Sequence, residues 1–439
     1  MSITIYVPAD AAALALGADA VAATITQEAA QRGMVVRLVR NGSRGMFWLE
    51  PLVEVVTERG RIAYGPVTVT DVGSLFDADF ANGSAHPLYL GLTEDRSWLR
   101  HQRRLACRRI GVIDPGSFAD YQAHGGGEGL GRARSLAPAD IVSAVTASGL
   151  RGRGGAAFPT GIKWKTVLDT TSAQKYIVCN ADEGDSGTFS DRLLMEGDPF
   201  QLLEGMAIAG LAVGATQGYI YVRSEYPHAI DALNRAIEGA RDWLGDGPGK
   251  FIVEVRKGAG SYVCGEETAM LESIEGKRGI VRAKPPLPAI SGLFGRPTVI
   301  NNVITFASVP DILAQGADVY SGMGCNRSRG TLPFQLAGNI KFGGLVEVPF
   351  GLKLRDLLYD FGGGSRSGRP LRAVQVGGPL GAYLPESQFD TVLDYEAFAA
   401  IGGGLGHGGI VAFDDTVDMA KQARYAMKFC AIESCGKCT

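Results

Sequence analysis

An α/β fold is predicted: a mostly parallel sheet covered by helices on both faces, with a small α/β unit ahead of it and a strand-rich unit behind. Three observations carry this. Apolar runs of strand length alternate with helical patterns between residues 138 and 322; residues 2–39 form a separate βαβ opening; and around Thr331 the texture changes to short, closely spaced strands. At 439 residues the chain exceeds the size at which one core stops growing, so several domains are expected.

Residues 2–7 read as a strand, Ala11 to Arg32 as an Ala-rich helix ending at Gly33, and Val35 to Val39 as an alternating strand. With strand-like runs at Leu52 to Thr57 and Arg61 to Val69, residues 1–95 fit a small thioredoxin-like unit. Its nearest cysteine, Cys107, lies outside it, so the unit ligates no cluster of its own and is structural or interactive. Residues 96–137 are a connector, basic and helical from Arg96 to Arg109, then a flexible or close-packed loop at Gly125, Gly126, Gly127, Gly129 and Gly131.

The central unit, residues 138–322, opens with a helix marked by Ile141, Val142, Val145 and Leu150, followed by a glycine-rich loop. Strands at Tyr176 to Cys179, Gly218 to Val222 and Phe251 to Val255 then alternate with helices at Pro199 to Ala212, Ala229 to Leu244 and Gly265 to Ile274. Residues 323–412, with strands at Leu332 to Leu336, Leu345 to Val348 and Ala373 to Val376 and a short helix at Leu354 to Tyr359, fit a β-grasp-like domain. Residues 413–439 turn helical after Asp418.

A net charge of -3 with 20% charged residues gives no polybasic surface, so nucleic acid is not a favoured partner. The opening Met1 to Val7 has no basic leader region, and no apolar run reaches the roughly 18 residues of a span. A cytoplasmic protein without a transmembrane segment is expected. Seven cysteines, an odd number, argue for free thiols and metal ligation over disulfides. The 61 glycines are nearly twice the usual share of about 7%, so many backbone segments approach something closely or turn tightly.

Four segments carry the chemistry. Gly152-Arg153-Gly154-Gly155-Ala156-Ala157 formally fits a dinucleotide fingerprint, but a helix precedes it where a strand is required. Its N–H groups can still face a phosphate or a flat ring, with Arg153 and Lys163 as matching cations; the alternative is a plain turn. The absence of a Gly-Lys-Ser/Thr phosphate loop weighs against ATP chemistry. The strand from Tyr176 delivers Asn180, Asp182 and Glu183 to the crevice where parallel sheets bind ligands. There Asn can donate to and accept from an isoalloxazine edge, and the carboxylates can accept from ribityl or ribose hydroxyls; a solvated turn is the alternative.

Gly265-Glu266-Glu267-Thr268 stands at a helix start, where carboxylates gain from the dipole whether or not they bind a ligand. A metal pair is a poor reading, because the chain's five histidines form no ligand-spaced cluster. Lys284-Pro285-Pro286-Leu287-Pro288 is stiff enough to hold Lys284 against a ligand, or is a linker, and it leads to Asn301-Asn302. Cys435 and Cys438, with two residues between them, read as half of an iron–sulfur run, with a thioredoxin-type pair and half a zinc site as rivals. Their place after a helix favours the cluster, which needs two further thiols for four-cysteine ligation.

From about Ser135 to Thr439 these segments together resemble the family of flavin-binding, NADH-oxidising subunits found in respiratory complex I, NAD-reducing hydrogenases and NAD-dependent formate dehydrogenases. The resemblance implies a Rossmann-like FMN domain in which Gly152, Arg153, Gly154, Gly155, Lys163, Asn180, Asp182, Glu183, Gly265, Glu266, Asn301 and Asn302 hold FMN. It implies NAD(H) with its base stacked on Phe158 and a pocket lined by Asp185, Glu267 and Lys284. Cys435 and Cys438 match the first two cysteines of a run carrying a [4Fe-4S] cluster in a helical iron–sulfur domain, whose remaining ligands would lie beyond Thr439. Two positions depart from the family pattern: a longer acid is usual at Asp185 and an aromatic at Leu287.

The cysteine-free thioredoxin-like unit makes the chain look most like the β subunit of cytoplasmic molybdenum-dependent formate dehydrogenase. That implies a [2Fe-2S] thioredoxin-like γ-type subunit and a molybdenum-containing α-type subunit as partners. The expected activity is hydride exchange between NAD(H) and FMN with single electrons passed to clusters, and no side chain need act as nucleophile. The alternatives are the equivalent module of a hydrogenase or complex I, a non-catalytic scaffold, and a flavin-free dehydrogenase.

Overall fold

The computed structural model describes residues 3–245 and 250–437. The first sheet is formed by β1 (Ile3–Tyr6), β2 (Val36–Val39), β3 (Val53–Thr57), β4 (Gly60–Tyr64) and β5 (Tyr89–Leu92), in the order β2-β1-β3-β4-β5. β1 and β2 pair parallel through the crossover helix, and the remaining pairs are antiparallel. Val21, Ala22, Ile25 and Ala29 of the helix pack on Ile5, Val53, Val55 and Ile62 of the sheet. The predicted single helix is two, Ala11–Ala15 and Ala18–Gln31, because Gly17 adopts φ +93° between them. The predicted strand from Arg61 stops at Tyr64, just before Gly65 and Pro66, whose ring leaves no N–H for the ladder.

The expected basic helix is confined to Ser97–Arg100. Beyond it the buried Glu347 carboxylate accepts from the N–H groups of Ala106 and Cys107 at 3.0 and 2.9 Å, while Arg104 donates to the Arg44 carbonyl and Arg109 to Asp198. These tertiary partners replace the helical ladder. The glycine run is partly helical, from Glu128 to Ala133, and close-packed at two positions: a Cβ on Gly126 would lie 2.2 Å from the Tyr121 ring and one on Gly129 2.5 Å from the Pro310 carbonyl oxygen, whereas Gly131 is open.

The central sheet is entirely parallel. Its strands β6 (Tyr176–Ala181), β7 (Gln217–Val222), β8 (Ile252–Lys257) and β9 (Thr298–Asn302) lie in the order β8-β7-β6-β9. Ile177 and Cys179 point into the large core with the Pro199–Val213 and Val303–Gln315 helices, and Val178 points to the opposite face with Met270 and Leu271. Burial on both faces explains the unbroken apolar runs. The two long helices meet backbone to backbone, since a Cβ on Gly205 would lie 2.0 Å from the Phe306 carbonyl oxygen.

After a two-residue hairpin of β10 (Gly324–Cys325) and β11 (Ser328–Arg329) comes a five-stranded sheet. Its strands are β12 (Thr331–Gly338), β13 (Gly344–Pro349), β14 (Leu371–Val376), β15 (Ala382–Pro385) and β16 (Gly409–Asp414), in the order β13-β12-β16-β14-β15. β12 and β16 pair parallel at its centre between antiparallel neighbours, a β-grasp arrangement. The last helix, Met419–Glu433, is capped by the Asp418 carboxylate and buries none of its side chains; Phe429 packs edge-on to Tyr262. Among the described residues no helix is long and apolar enough to cross a membrane.

Candidate functional site

Three elements converge beyond the carboxyl ends of β6 and β9. The glycine loop is pinned at its base by Gly152 N–H donating to the Phe158 carbonyl (2.8 Å) and Thr160 N–H to that of Leu150 (2.9 Å). Within it Gly155 takes φ +115°, and Gly154 passes so close to β9 that a Cβ would sit 3.0 Å from Asn302 Cβ. From β6, the Asn180 amide donates to the Gly265 carbonyl at 2.8 Å, tying the strand to the turn before the Glu267–Ile274 helix. Glu266 caps that helix through the N–H groups of Thr268 and Ala269, and Lys284 pairs with Glu266 at 3.0 Å and Glu267 at 2.7 Å.

The Thr160–Asp169 helix, which the sequence pattern does not announce, carries Lys163, whose ammonium donates to the Ile300 carbonyl at 2.7 Å and lies 3.9 Å from Glu267. Burial pushes its pKa down, with Glu267 opposing. On β9, Asn301 accepts from the Trp164 indole at 2.9 Å, while Asn302 caps the following helix and donates to Asp191 at 2.7 Å.

Between these elements lies a two-lobed cleft whose lobes share Gly154, Asn180, Gly265, Glu266 and Asn302. The larger lobe, about 640 Å³, is also lined by Asp182, Glu183, Asp185, Tyr262 and His407, and by Cys435 of the carboxyl-terminal segment. The other, about 470 Å³, adds Gly152, Phe158, Lys163, Glu267, Lys284 and Asn301. Cys438 lies outside the described residues.

The expectation that Arg153 supplies positive charge to a ligand is corrected. Its fully buried guanidinium points away and is satisfied by the Thr331 and Arg329 carbonyls, the Arg151 carbonyl and the Tyr320 hydroxyl. Gly155 does not line either lobe; it rests against Gly406, at 3.7 Å from its own would-be Cβ. Both residues join the loop to the β-grasp sheet.

Among the lining residues not singled out in the sequence are Tyr262, Asp191 and His407. Tyr262 precedes Gly265 by one turn; Asp191 and His407 are far apart in sequence and meet only through the fold. The one available signal for His407 was its place inside a run of glycines.

The cleft suits a polyhydroxylated, phosphate-bearing heterocycle. Asp182 Oδ2 is buried against the larger lobe without a hydrogen-bond partner among the described residues, and burial, opposed by Arg223, pushes the carboxyl up to about 7. A hydroxyl donor would satisfy that oxygen. Lys163 offers a cation, and the glycines leave room for close backbone approach.

Strand ends, glycine loop and helix start around a polar cleft define a nucleotide-cofactor-binding α/β protein. Residues 145–311 match the family model of the Nuo51 FMN-binding domain. The chain is 49% identical over 346 residues to HndC, a component of the NADP-reducing hydrogenase of Solidesulfovibrio fructosivorans, covering 77% of this chain and 70% of that protein. It is 45% identical over 339 residues to an F-type component, numbered 2, of the NADH-quinone oxidoreductase of Rhizobium meliloti (strain 1021), covering 76% and 80%. Its fold is similar to that of a chain in the crystal structure of an NAD+-reducing [NiFe]-hydrogenase in the H2-reduced state, with a TM-score of 0.68 and 28% identity, covering 100% of this chain and 72% of that one. The chain belongs to the family of FMN-binding, NADH-oxidising diaphorase subunits.

Proposed function

We propose that the chain is the NAD(H)-oxidising flavin module of an NAD-dependent formate dehydrogenase, its β-type subunit, working in the cytoplasm with a [2Fe-2S] thioredoxin-like γ-type subunit and a molybdenum-containing α-type subunit. The observation that carries this reading is the cysteine-free thioredoxin-like sheet of β1 to β5 ahead of the flavin unit. A second reading, the equivalent module of an NAD-reducing hydrogenase, is favoured by the hydrogenase chain whose fold matches all of this one.

In this proposal bound FMN supplies two-electron chemistry toward NAD(H) and one-electron chemistry toward clusters. The chain's part is to bind and orient. Lys163 and the N–H group of Gly154 would serve the phosphate, with Gly152, Arg153 and Gly155 shaping the loop from behind. Asn180, Asp182, Glu183, Gly265, Glu266, Asn301 and Asn302 hold the ring edge and hydroxyls. Phe158, half-exposed at the second lobe, stacks on the nicotinamide nucleotide, with Asp185, Glu267 and Lys284 around it. Cys435 and Cys438 begin the ligand set of a [4Fe-4S] cluster; the N–H groups of Lys437 and Val281 favour the Cys435 thiolate, the form that ligates metal.

An anaerobic absorbance spectrum of the purified chain, taken before and after NADH with ferricyanide turnover in the same cuvette, tests the module. Flavin bleaching with turnover is expected; a colourless chain that ignores NADH after FMN is supplied refutes it. Co-purification of partners then separates formate from hydrogen as the electron source.

A further inference from the structure

Glu183, Asp191 and His407 bring ligand-type atoms within 4.8 Å of one another, and all three are buried. His407 comes from the β-grasp unit, between β15 and β16, while both carboxylates follow β6. The ring is held from both ends. Nδ1 lies 2.6 Å from the Arg153 carbonyl oxygen, which can only accept, so Nδ1 carries a hydrogen. Nε2 shares a hydrogen bond with the Ser190 hydroxyl at 3.0 Å and is flanked at ion-pair distance by Glu183 Oε1 at 3.3 Å and Asp191 Oδ1 at 3.2 Å. Two carboxylates at this distance favour the doubly protonated, cationic ring, which offsets one of their two charges.

The surroundings agree. Burial alone would discharge the ring, but Asp191 and Glu183 outweigh it and hold the His407 pKa well above the usual value. Glu183 also accepts from the N–H groups of Asp191 and Arg192 and from the Tyr226 hydroxyl, and Asp191 from the Asn302 amide. The Arg153 guanidinium is engaged elsewhere, so it does not compete for these acids. His407, Glu183, Asp191 and Asn302 all line the larger lobe.

We propose that His407 is a positioning residue of the flavin site, a fixed cation that keeps Glu183 and Asp191 ionised and in place, and so raises the reduction potential of the flavin beside it. The proposal rests on the flavin reading above. A reduced flavin carries more negative charge than an oxidised one, so a buried cation favours the reduced form and buried anions disfavour it. Without the ring, two buried carboxylates face each other and loosen Asn302.

The test uses the full chain, FMN titration by fluorescence quenching, and the bound-flavin potential by anaerobic spectroelectrochemistry at pH 8. His407→Gln is expected to weaken FMN binding about tenfold and to cost about a further tenfold in preference for reduced over oxidised flavin, equivalent to a potential about 30 mV more negative. Asp191→Asn, which keeps the ring and removes one anion, is expected to shift the potential the opposite way, and it decides the matter should His407→Gln fail to fold. The double variant His407→Gln/Asp191→Asn is expected to regain most of the lost affinity. Shifts of one sign in both single variants, unchanged potentials, or strictly additive losses in the double variant would reduce His407 to packing and overturn the proposal. A wild-type chain that takes up no FMN overturns the flavin reading itself, and this is seen before any variant is made.

Discussion

The hydroxyl of Tyr262 donates to Asp185 Oδ1 across 2.5 Å, joining the turn before the Glu267–Ile274 helix to the segment after β6 at the rim of the larger lobe. Burial raises the Asp185 pKa and this bond lowers it, so Tyr262 favours the ionised form. Tyr262→Phe removes a hydrogen bond to a charged group, worth about 1.5–3 kcal/mol. The expected outcome is a KM for NADH raised about tenfold, with the melting temperature lowered by a few degrees. An unchanged KM would place Asp185 outside nucleotide binding.

Phe158 is 48% exposed and lines the second lobe, so its ring contributes little to folding. Phe158→Ala is expected to cost about 1 kcal/mol of stacking, a KM for NADH roughly fivefold higher, with FMN content intact. Loss of FMN instead would put the flavin ring, not the nicotinamide nucleotide, against Phe158.

Asp182 titrates at about 7 in the folded chain because burial disfavours its charge. Its contribution to the stability of the flavin-free chain is therefore present below the ordinary value of 3.8 and lost as pH rises through about 7. A hydroxyl donated to the carboxylate lowers that pKa, so FMN binding releases a proton and tightens as pH rises from 6 to 8. Titrations at several pH values should show this step, and Asp182→Asn should flatten it.

A second acidic group lies where the thioredoxin-like unit meets the central one. Burial pushes Glu50 up to about 8 and Glu196 to about 7, with Asp10 adding to both, while Ala11 N–H donates to Glu196 at 2.7 Å. Raised pKa values mean that folding holds protons, so this contribution is full below the ordinary 4.5 and is lost as pH rises through 7 to 8. The melting temperature should fall between pH 6 and pH 9, and Glu50→Gln with Glu196→Gln should remove most of the fall.

Glycine substitutions should divide by position. At Gly205 a Cβ would meet the Phe306 carbonyl oxygen at 2.0 Å, so Gly205→Ala forces apart the two long helices, with an overpacking cost of roughly 1–3 kcal/mol or more. At the exposed helical Gly131 nothing lies within 4 Å, and Gly131→Ala should stabilise by about 1 kcal/mol. Denaturant midpoints of the two variants should move in opposite directions.

The central strands were legible because Ile177, Val178 and Cys179 form a continuous apolar run buried from both sides. β9 escaped notice because its apolar Val299 and Ile300 are followed at once by Asn301 and Asn302. β5 escaped because Gly91 interrupts its pattern, and β15 because it is a short edge strand held only by β14. At the cleft, Asn180, Asp182 and Gly265 were legible from residue type and from their place at element ends. The direction of the Arg153 side chain was not, since composition shows a charge but not where it points. His407 was invisible for a different reason: its partners lie in another unit, and only the joining of the sheets brings them together.

That origin of His407 sets an order of assembly. The strand leading to Glu183 and Asp191 leaves the ribosome long before the segment between β15 and β16. Until that later segment folds, the floor of the cleft holds two acids without their counter-ion. On the flavin reading proposed above, the site is complete only once two units have folded against each other, so a variant lacking the segment that carries His407 should bind FMN poorly even with the strand bearing Glu183 and Asp191 in place.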